Sequence, residues 1–547
     1  MRGYGPSGHF QGSGSVSLNA FVQILRQLFE AVAAESWKDL AYFPFDLVET
    51  DESQLHDLAL FHQSAREAYG IAWISFERFD SLLIFPFCMV RYQADEALIT
   101  LPPWSIRDAR ADEVFYQHMR AALRRSVSMS TMLGNMLTLK SHVGEPALTA
   151  VSIDHDASHL LVRVDALEAY KFFRTTHRFH PHSREVEILE YLSQVPDFNG
   201  TARLVSSLEY QSADGVAHLT AVSMTYVQNQ GNLWNHLLVH LQQARYPRAG
   251  APGAANRHWE ICLETTQRAG RLVADFHRCM MKAKRPSSIV PLSPNPEDVE
   301  QWKEALLEHQ RDLVERVLSM SLSKRAGALH KDCMVQIARI SKSIEKELAS
   351  IESLGLLIQT HGHLHLGQIL VGNDKLTLLD FQSNYANADA FERVRQNCFD
   401  DYVALYISLQ FAWALSTQGK DSMVFGDILD NHSEYGAYLY ERKAESERAT
   451  AEESFPAMVP LSNATGLSEV SLETVHSMYS KAYFRALKDD PLTSELFPAG
   501  SGEFESLLRV YMFQRLLKEL YANGEPGNPK AAVIVHMMSQ LESYSGS

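Results

Sequence analysis

The densest chemistry in this chain of 547 residues lies between Gln359 and Gln382, in QTHGHLHLGQILVGNDKLTLLDFQ. His361, His363 and His365 offer alternating imidazoles, Gln368 an amide oxygen and Asp380 a carboxylate. A carboxylate of this kind suits a hard cation. An imidazole can take up a proton near neutral pH. Gly362 and Gly367 let the backbone bend closely around a ligand. The residues alone leave two readings: a binding or catalytic loop, or a polar turn whose histidines bond to backbone. A second pair of charges lies upstream. Lys171 follows the apolar run LEAY in mid-strand among aromatics, where a lysine is excluded unless its ammonium reaches a partner. Glu187, flanked by Val186 and Ile188 with Leu192 further along the next helix, is the expected partner. The alternative is an edge-strand lysine snorkelling to water and an exposed glutamate.

These groups need elements to hold them. Leu376 to Phe381 (LTLLDF), preceded by the turn signal Gly372-Asn373-Asp374, reads as a short buried strand with Asp380 where it breaks surface. Lys171 falls in a strand-rich part, where MLTLKSHV, HLLVRVD and LEAYKFFRTT precede the helix SREVEILEYLSQV, and the strands RLVSSLEYQ and AHLTAVSMTYV follow it. That order predicts a small antiparallel sheet carrying one helix. Before it, LNAFVQILRQLFEAVAA reads as a helix, LAYFPFDLVE, GIAWISFERF and SLLIFPFCMVRYQ as strands, and DEVFYQHMRAALRRSV as helix. After the loop signal Gln228 to Gly231 the pattern turns helical to the C-terminal region. Ile337, Ile340, Ile344, Leu348 and Ile351 recur at helical spacing, the mark of one buried face. The expected parts are a Gly/Ser-rich tail over 1–17, an N-terminal domain over 18–134, a sheet-bearing lobe over 135–228 and a helical lobe over 229–547.

Composition narrows the function. With 50 Lys+Arg against 66 Asp+Glu the formal charge is -16, and no basic block offers the phosphate-neutralising surface of a nucleic-acid binder. The 5 cysteines, Cys88, Cys262, Cys279, Cys333 and Cys398, lack CxxC spacing, which argues against a disulfide framework or zinc knuckle and for a reducing, cytoplasmic setting. The longest apolar run, Tyr402 to Leu415, is too short to span hydrocarbon and reads as a core helix. YERKAESERATAEE reads as a solvated helix face or loop.

A strand lysine, a helix glutamate, a hinge, helices, then HGxxHxxQ and a strand ending in DF resemble the layout of aminoglycoside phosphotransferase-like kinases. Within that group the chain is most similar to the bacterial maltokinase family. The resemblance lies in YKFFR with EVEILEYL, in TYVQNQGNLW, in HLHLGQIL and LLDFQ and, more loosely, in MFQRLLKELYANGEPGNP. It implies an α+β, bilobal protein-kinase-like fold with an N-terminal cap, and ATP-dependent phosphoryl transfer to a hydroxyl of maltose or another glucose-type sugar. It further implies Lys171 on the nucleotide phosphates paired with Glu187, a hinge at Met224, Tyr226 and Val227 holding adenine through its backbone, and Mg2+ on Gln368 and Asp380. Asp401 and Glu519 are implied as sugar contacts, and a protein of trehalose or glycogen metabolism as a partner. No membrane is implied.

Departures from that family matter. Its members read HGD where this chain reads His361-Gly362-His363, so a histidine stands where a carboxylate would accept the hydroxyl proton. DFE is Asp380-Phe381-Gln382, and the turn Ile153 to Leu160 lacks the glycine of a phosphate-covering loop. Asp400 or Asp401 are candidates to replace the missing carboxylate. The alternatives are therefore a sugar kinase, a pseudokinase that binds nucleotide or metabolite and regulates a partner, and a metal hydrolase using His361, His363 and His365.

Overall fold

The structure is a computed structural model. Short gaps aside, it describes residues 53–141, 155–246, 254–321, 328–381, 395–416, 472–523 and 528–543, with a few helical positions between 23 and 29. Two stretches named above, LAYFPFDLVE and YERKAESERATAEE, lie outside the described residues, as does most of the turn Ile153 to Leu160.

Strict alternation of side chains organises the first half of the chain. Strands β1 (Ser53–Gln63), β2 (Glu67–Phe76) and β3 (Phe79–Val90) form an antiparallel meander, continued by β5 (Trp104–Asp108) and β4 (Ile99–Leu101). Ala68, Ala72, Ile74 and Phe76 of β2 point to one core with Phe85, Phe87, Leu25 and Phe29. Tyr69, Ile71 and Trp73 point to the other, with Phe115 and Tyr116 of helix α1 (Glu113–Arg125) and with Leu208 and Tyr210 of the second sheet. Covering both faces explains why β2 reads as a nearly continuous apolar run. Strand β1 was not expected from the sequence: Asp57, His56 and His62 interrupt its apolar pattern. Buried Asp57 is satisfied by Thr131, Asn135 and Tyr210, at 2.7, 2.7 and 2.9 Å.

The second sheet is antiparallel, in the order β6 (Ser128–Ser130), β7 (Met136–Ser141), β12 (Leu204–Gln211), β13 (Ala217–Thr225), β10 (Glu168–Phe172), β9 (Leu161–Val164), β8 (His155–Asp156). Helix α2 (Arg184–Ser193) accompanies it, and β11 (Thr175–Thr176) returns to pair with β3 of the first sheet. Both sheets fall in one compact unit, Met1–Gln194 with Ala202–Val227. The residue 134/135 boundary expected from sequence lies inside that unit, and β6 joins the second sheet ahead of it.

The second unit comprises Val195–Thr201 and Gln228–Ser547. It contains α3 (Leu233–Arg245), α4 (Ala254–Met280), α5 (Pro296–Ser321), α6 (Ala328–Ser350), α7 (Phe399–Ser416), α8 (Leu472–Lys488), α9 (Ser501–Asn523) and α10 (Pro529–Ser543). Among the described residues no strand lies between 230 and 350. The isoleucine stripe of α6 is buried as its spacing requires, and α7, apolar all round, is buried on nearly every side. A hairpin of β14 (Ile369–Val371) and β15 (Leu376–Leu378) carries the candidate loop. Cys88, Cys262, Cys279 and Cys398 are free thiols, and no described helix is long and apolar enough to cross a membrane.

Candidate functional site

The histidine loop is fixed from beneath by a buried carboxylate. Asp401 lies in the first turn of α7, 1 % exposed; its Oδ2 accepts the His361 N–H at 2.7 Å and its Oδ1 the Gly362 N–H at 3.1 Å. His277 of α4, itself bonded to Tyr483 at 2.8 Å, meets Oδ2 at 3.0 Å. Burial alone would raise the Asp401 pKa, but the His277 hydrogen bond and the imidazole charges nearby hold it below the usual carboxylate value. Gly362 takes φ +79, a left-handed turn that glycine makes without steric cost. The His361 ring donates through Nε2 to the Leu379 carbonyl at 2.8 Å, tying the loop to the end of β15.

That strand is shorter than the sequence implied, ending at Leu378. Asp380 follows with φ +62, the one positive φ of a non-glycine among the described residues. Such a backbone costs about 1–2 kcal/mol and persists only where its surroundings impose it. Here the Leu379 N–H donates to the Gln368 carbonyl, and Gln368 Nε2 donates to Asp380 Oδ2, both at 2.9 Å. Donating through nitrogen fixes the Gln368 amide against the half-buried carboxylate. One carboxylate with one amide oxygen fits magnesium, which keeps waters and phosphate oxygens as its remaining ligands.

Burial drives the loop imidazoles toward neutrality. The His363 pKa falls to about 4, first through burial and then through the positive charge of Arg515 and His361. His365 falls to about 3 for the same reasons, with His363 adding to them. His365 Nδ1 accepts the Gly367 N–H at 3.0 Å and caps the short helical turn Leu366–Gln368. His363 Nδ1 is buried without a hydrogen-bond partner among the described residues. Glu519 in α9 is near enough to act on His363 electrostatically, yet its carboxylate is engaged by Arg515 at 2.7 and 3.0 Å and by Asn523 at 3.1 Å. Asp400 accepts from the Thr360 hydroxyl at 3.3 Å. With both oxygens bonded inside the protein, Asp401, expected as a sugar contact, supports the loop. The three loop histidines also fail to converge as a metal-ligand set.

In the first unit, Lys171 sits in β10 between Val222 of β13 and Leu161 of β9, not on an edge. Its Nζ meets the two carboxylate oxygens of Glu185 at 3.0 and 2.9 Å, with the side chains 12 % and 1 % exposed. The expected partner, Glu187, is the wrong glutamate of α2. Glu185, Ile188, Leu189 and Leu192 form the buried stripe at spacings of three, four and seven; Glu187 lies roughly 200° around the helix from Glu185. Helical spacing would have selected Glu185; reading immediate neighbours did not. Met224 lies in β13, paired with Ala169 and Leu204, while Tyr226 and Val227 follow the strand's last residue.

Sequence alone also passed over Arg515, His277 and Lys530. Lys530 stands 5.4 Å from the ring centres of both Trp234 and Phe411 and feels the Glu519 charge. The only hint of Arg515 was its spacing of four from Glu519 on a helix.

Antiparallel sheets followed by a helical unit give this chain an α+β fold shared with solved kinases. Similar solved structures include glucosamine kinases. One crystal form aligns with TM-score 0.59 and 16% identity, covering 94% of this chain and 99% of that one. A glucosamine kinase in complex with glucosamine, ADP and inorganic phosphate gives TM-score 0.56 at 16% identity, covering 94% and 98%. A further crystal form gives 0.57 at 17%, with the same coverage. No protein-family model matches the chain, and no curated protein matches it in sequence.

Proposed function

We propose that this protein transfers a phosphoryl group from ATP to a hydroxyl of a sugar. The observation that carries the reading is Asp380, a carboxylate kept in left-handed backbone against the Gln368 amide beside a buried histidine loop. The fold shared with glucosamine kinases supports it. Lys171, held by Glu185, neutralises nucleotide phosphate, and backbone groups around Met224 to Val227 hold adenine. Gln368 and Asp380 hold magnesium, which when bound offsets charge on the phosphoryl oxygens. His363 faces the acceptor hydroxyl: the bond from phosphorus to the leaving oxygen breaks, the sugar oxygen bonds to phosphorus, and the hydroxyl proton passes to an imidazole nitrogen. A loose transition state needs little basicity early, so positioning and charge neutralisation supply most of the catalysis. The bilobal kinase-like arrangement belongs to this reading. So does a glucose-type sugar: maltose follows from the sequence resemblance, and glucosamine from what the solved neighbour binds.

A second reading, a nucleotide-binding regulator, is favoured by His363 itself, which lacks a carboxylate's charge. ADP release should be followed with magnesium, ATP and a panel of glucose, maltose and glucosamine, for the wild type and for His363→Asp. Turnover of any sugar by the wild type supports the kinase. Silence from both proteins, with nucleotide binding intact, would establish the regulator.

A further inference from the structure

In the first unit, away from the residues above, His62, Glu67 and His118 converge from three elements. His62 is the next-to-last residue of β1, Glu67 the first of β2, and His118 lies in α1. One donor atom from each lies within 4.8 Å of the others, and His62 Nε2 is 3.8 Å from Glu67 Oε1. The two imidazoles stack with centroids 3.9 Å apart and planes 10° from parallel. From this geometry we infer a divalent transition-metal site, best matched by zinc, with two imidazoles and one carboxylate as protein ligands and a remaining position for water.

Local backbone geometry aims these side chains. The ladder between β1 and β2 shifts register between Leu60 and His62. Phe61, the extra residue, packs its ring on Phe115 at 5.8 Å, while adjacent His62 packs on His118; both partners belong to α1. Two neighbours on a regular strand point to opposite faces, so the bulge is what turns both toward the helix. On β2, Glu67 and Tyr69 are two apart and share a face. The Tyr69 hydroxyl reaches Glu67 Oε2 at 3.5 Å, and its ring lies 5.0 Å from that of His118. A phenol bonded to the carboxylate and packed on an imidazole is the kind of outer support that fixes metal ligands.

Ligand chemistry selects the ion. Two nitrogens and one carboxylate make a donor set used by zinc, whereas calcium and magnesium prefer oxygens alone. Tetrahedral zinc at about 2.0–2.1 Å from each ligand holds the donor atoms roughly 3.4 Å apart. Closing from the present separations asks for rotation of the half-exposed side chains, the stacked imidazoles turning until both ring planes meet the ion. The bound ion would pin the turn end of the β1–β2 hairpin to α1.

Zinc binding to the purified full chain, freed of metal by a chelator, should be titrated against a chromophoric competitor. The wild type is expected to take up one tight equivalent in the submicromolar range. His62→Gln with His118→Gln, checked for folding by circular dichroism, should lose that equivalent, while Glu67→Gln should weaken it at least about tenfold, the lower bound set by loss of an outer-shell partner. A second readout needs no variant: zinc should protect His62 and His118 of the wild type from diethylpyrocarbonate, mapped peptide by peptide. Absence of tight binding would overturn the site. So would an equivalent that survives the double substitution, or protection falling on other histidines.

Discussion

Asp401→Asn is the sharpest test of how the candidate loop is held. The carboxylate accepts three hydrogen bonds, from the His361 and Gly362 backbones and from His277, in a place 1 % exposed. Asparagine keeps the shape but supplies one oxygen and one NH2. With its oxygen on His361 and His277, the NH2 faces the Gly362 N–H; flipped, it faces the other two donors. In either case at least one buried N–H loses its acceptor, at about 1–3 kcal/mol, and the surviving bonds lose their charge assistance, at about 1 kcal/mol each. The sum is about 3–5 kcal/mol. Unfolding entropy of about 2.1 cal/mol/K per residue over a unit of roughly 320 residues converts this to a Tm lower by about 4–7 °C. Calorimetry on the second unit's transition measures it, with ADP release alongside, since a displaced Gly362 moves His363 and turnover should fall further than stability explains. A Tm within a degree of wild type, with unchanged turnover, would refute the account of Asp401 as the loop's anchor.

The remaining expectations concern charge. Glu185→Gln should weaken ATP binding at least tenfold by calorimetric titration, while Glu187→Gln should stay within twofold; equal effects would undo the assignment of the Lys171 partner. Asp380→Asn should lower magnesium-dependent ADP release at least a hundredfold, as expected when a developing charge loses its stabilisation, and unimpaired release would remove Asp380 from the metal role. His363 and His236 at about 4, with His365 at about 3, are lowered below the unfolded value near 6.5. The unfolded chain then takes up protons that the fold refuses, so stability is full above pH 6.5 and declines from there toward pH 4, by about 1.4 kcal/mol per pH unit for each group. Asp401, lowered below its own reference, adds its loss only on further acidification. Thermal unfolding from pH 8 to 4 checks this, and a Tm flat between 6.5 and 5 would contradict the burial of neutral imidazoles. If His363 is the proton acceptor, turnover corrected for folded fraction should stay level down to about pH 5, and a break near 6.5 would show an ordinary, solvated histidine.

How much could be read beforehand depended on whether one chain segment carried its own signal. The isoleucines of α6 and the continuous apolar run of α7 declare burial through period and length, and both occupy the core. Strand β1 did not declare itself, because Asp57 looks like a solvent residue until Thr131, Asn135 and Tyr210, distant in sequence, surround it. Gln368 and Asp380 are twelve positions apart across one hairpin, so a turn signal between two apolar runs suffices to bring them together. Asp401 and His277 come from different helices, and nothing local marks either as the support of a glycine turn. Glu185 was available from spacing and was missed by a choice of neighbours. The positive φ of Asp380 is a property of the assembled hairpin, and an aspartate in sequence does not reveal it.

The chemistry proposed for His363 is best understood through Arg515. A carboxylate there would feel a guanidinium already engaged by Glu519. With histidine present, that same guanidinium opposes protonation and, after burial, is the largest influence keeping the ring neutral. For a carboxylate at this place Arg515 would favour the charge, while burial and the nearby Asp380 and Glu519 would oppose it. A pKa of about 4 also gives His363 nearly the basicity of a carboxylate, so the two differ in negative charge and little in proton affinity. In a transition state dominated by phosphoryl charge, one fewer negative group beside Asp380 lessens repulsion but also loosens the hydroxyl's orientation. Those opposing terms make His363→Asp more informative than its alanine counterpart, since it changes charge and shape while leaving proton affinity near where the fold already sets it.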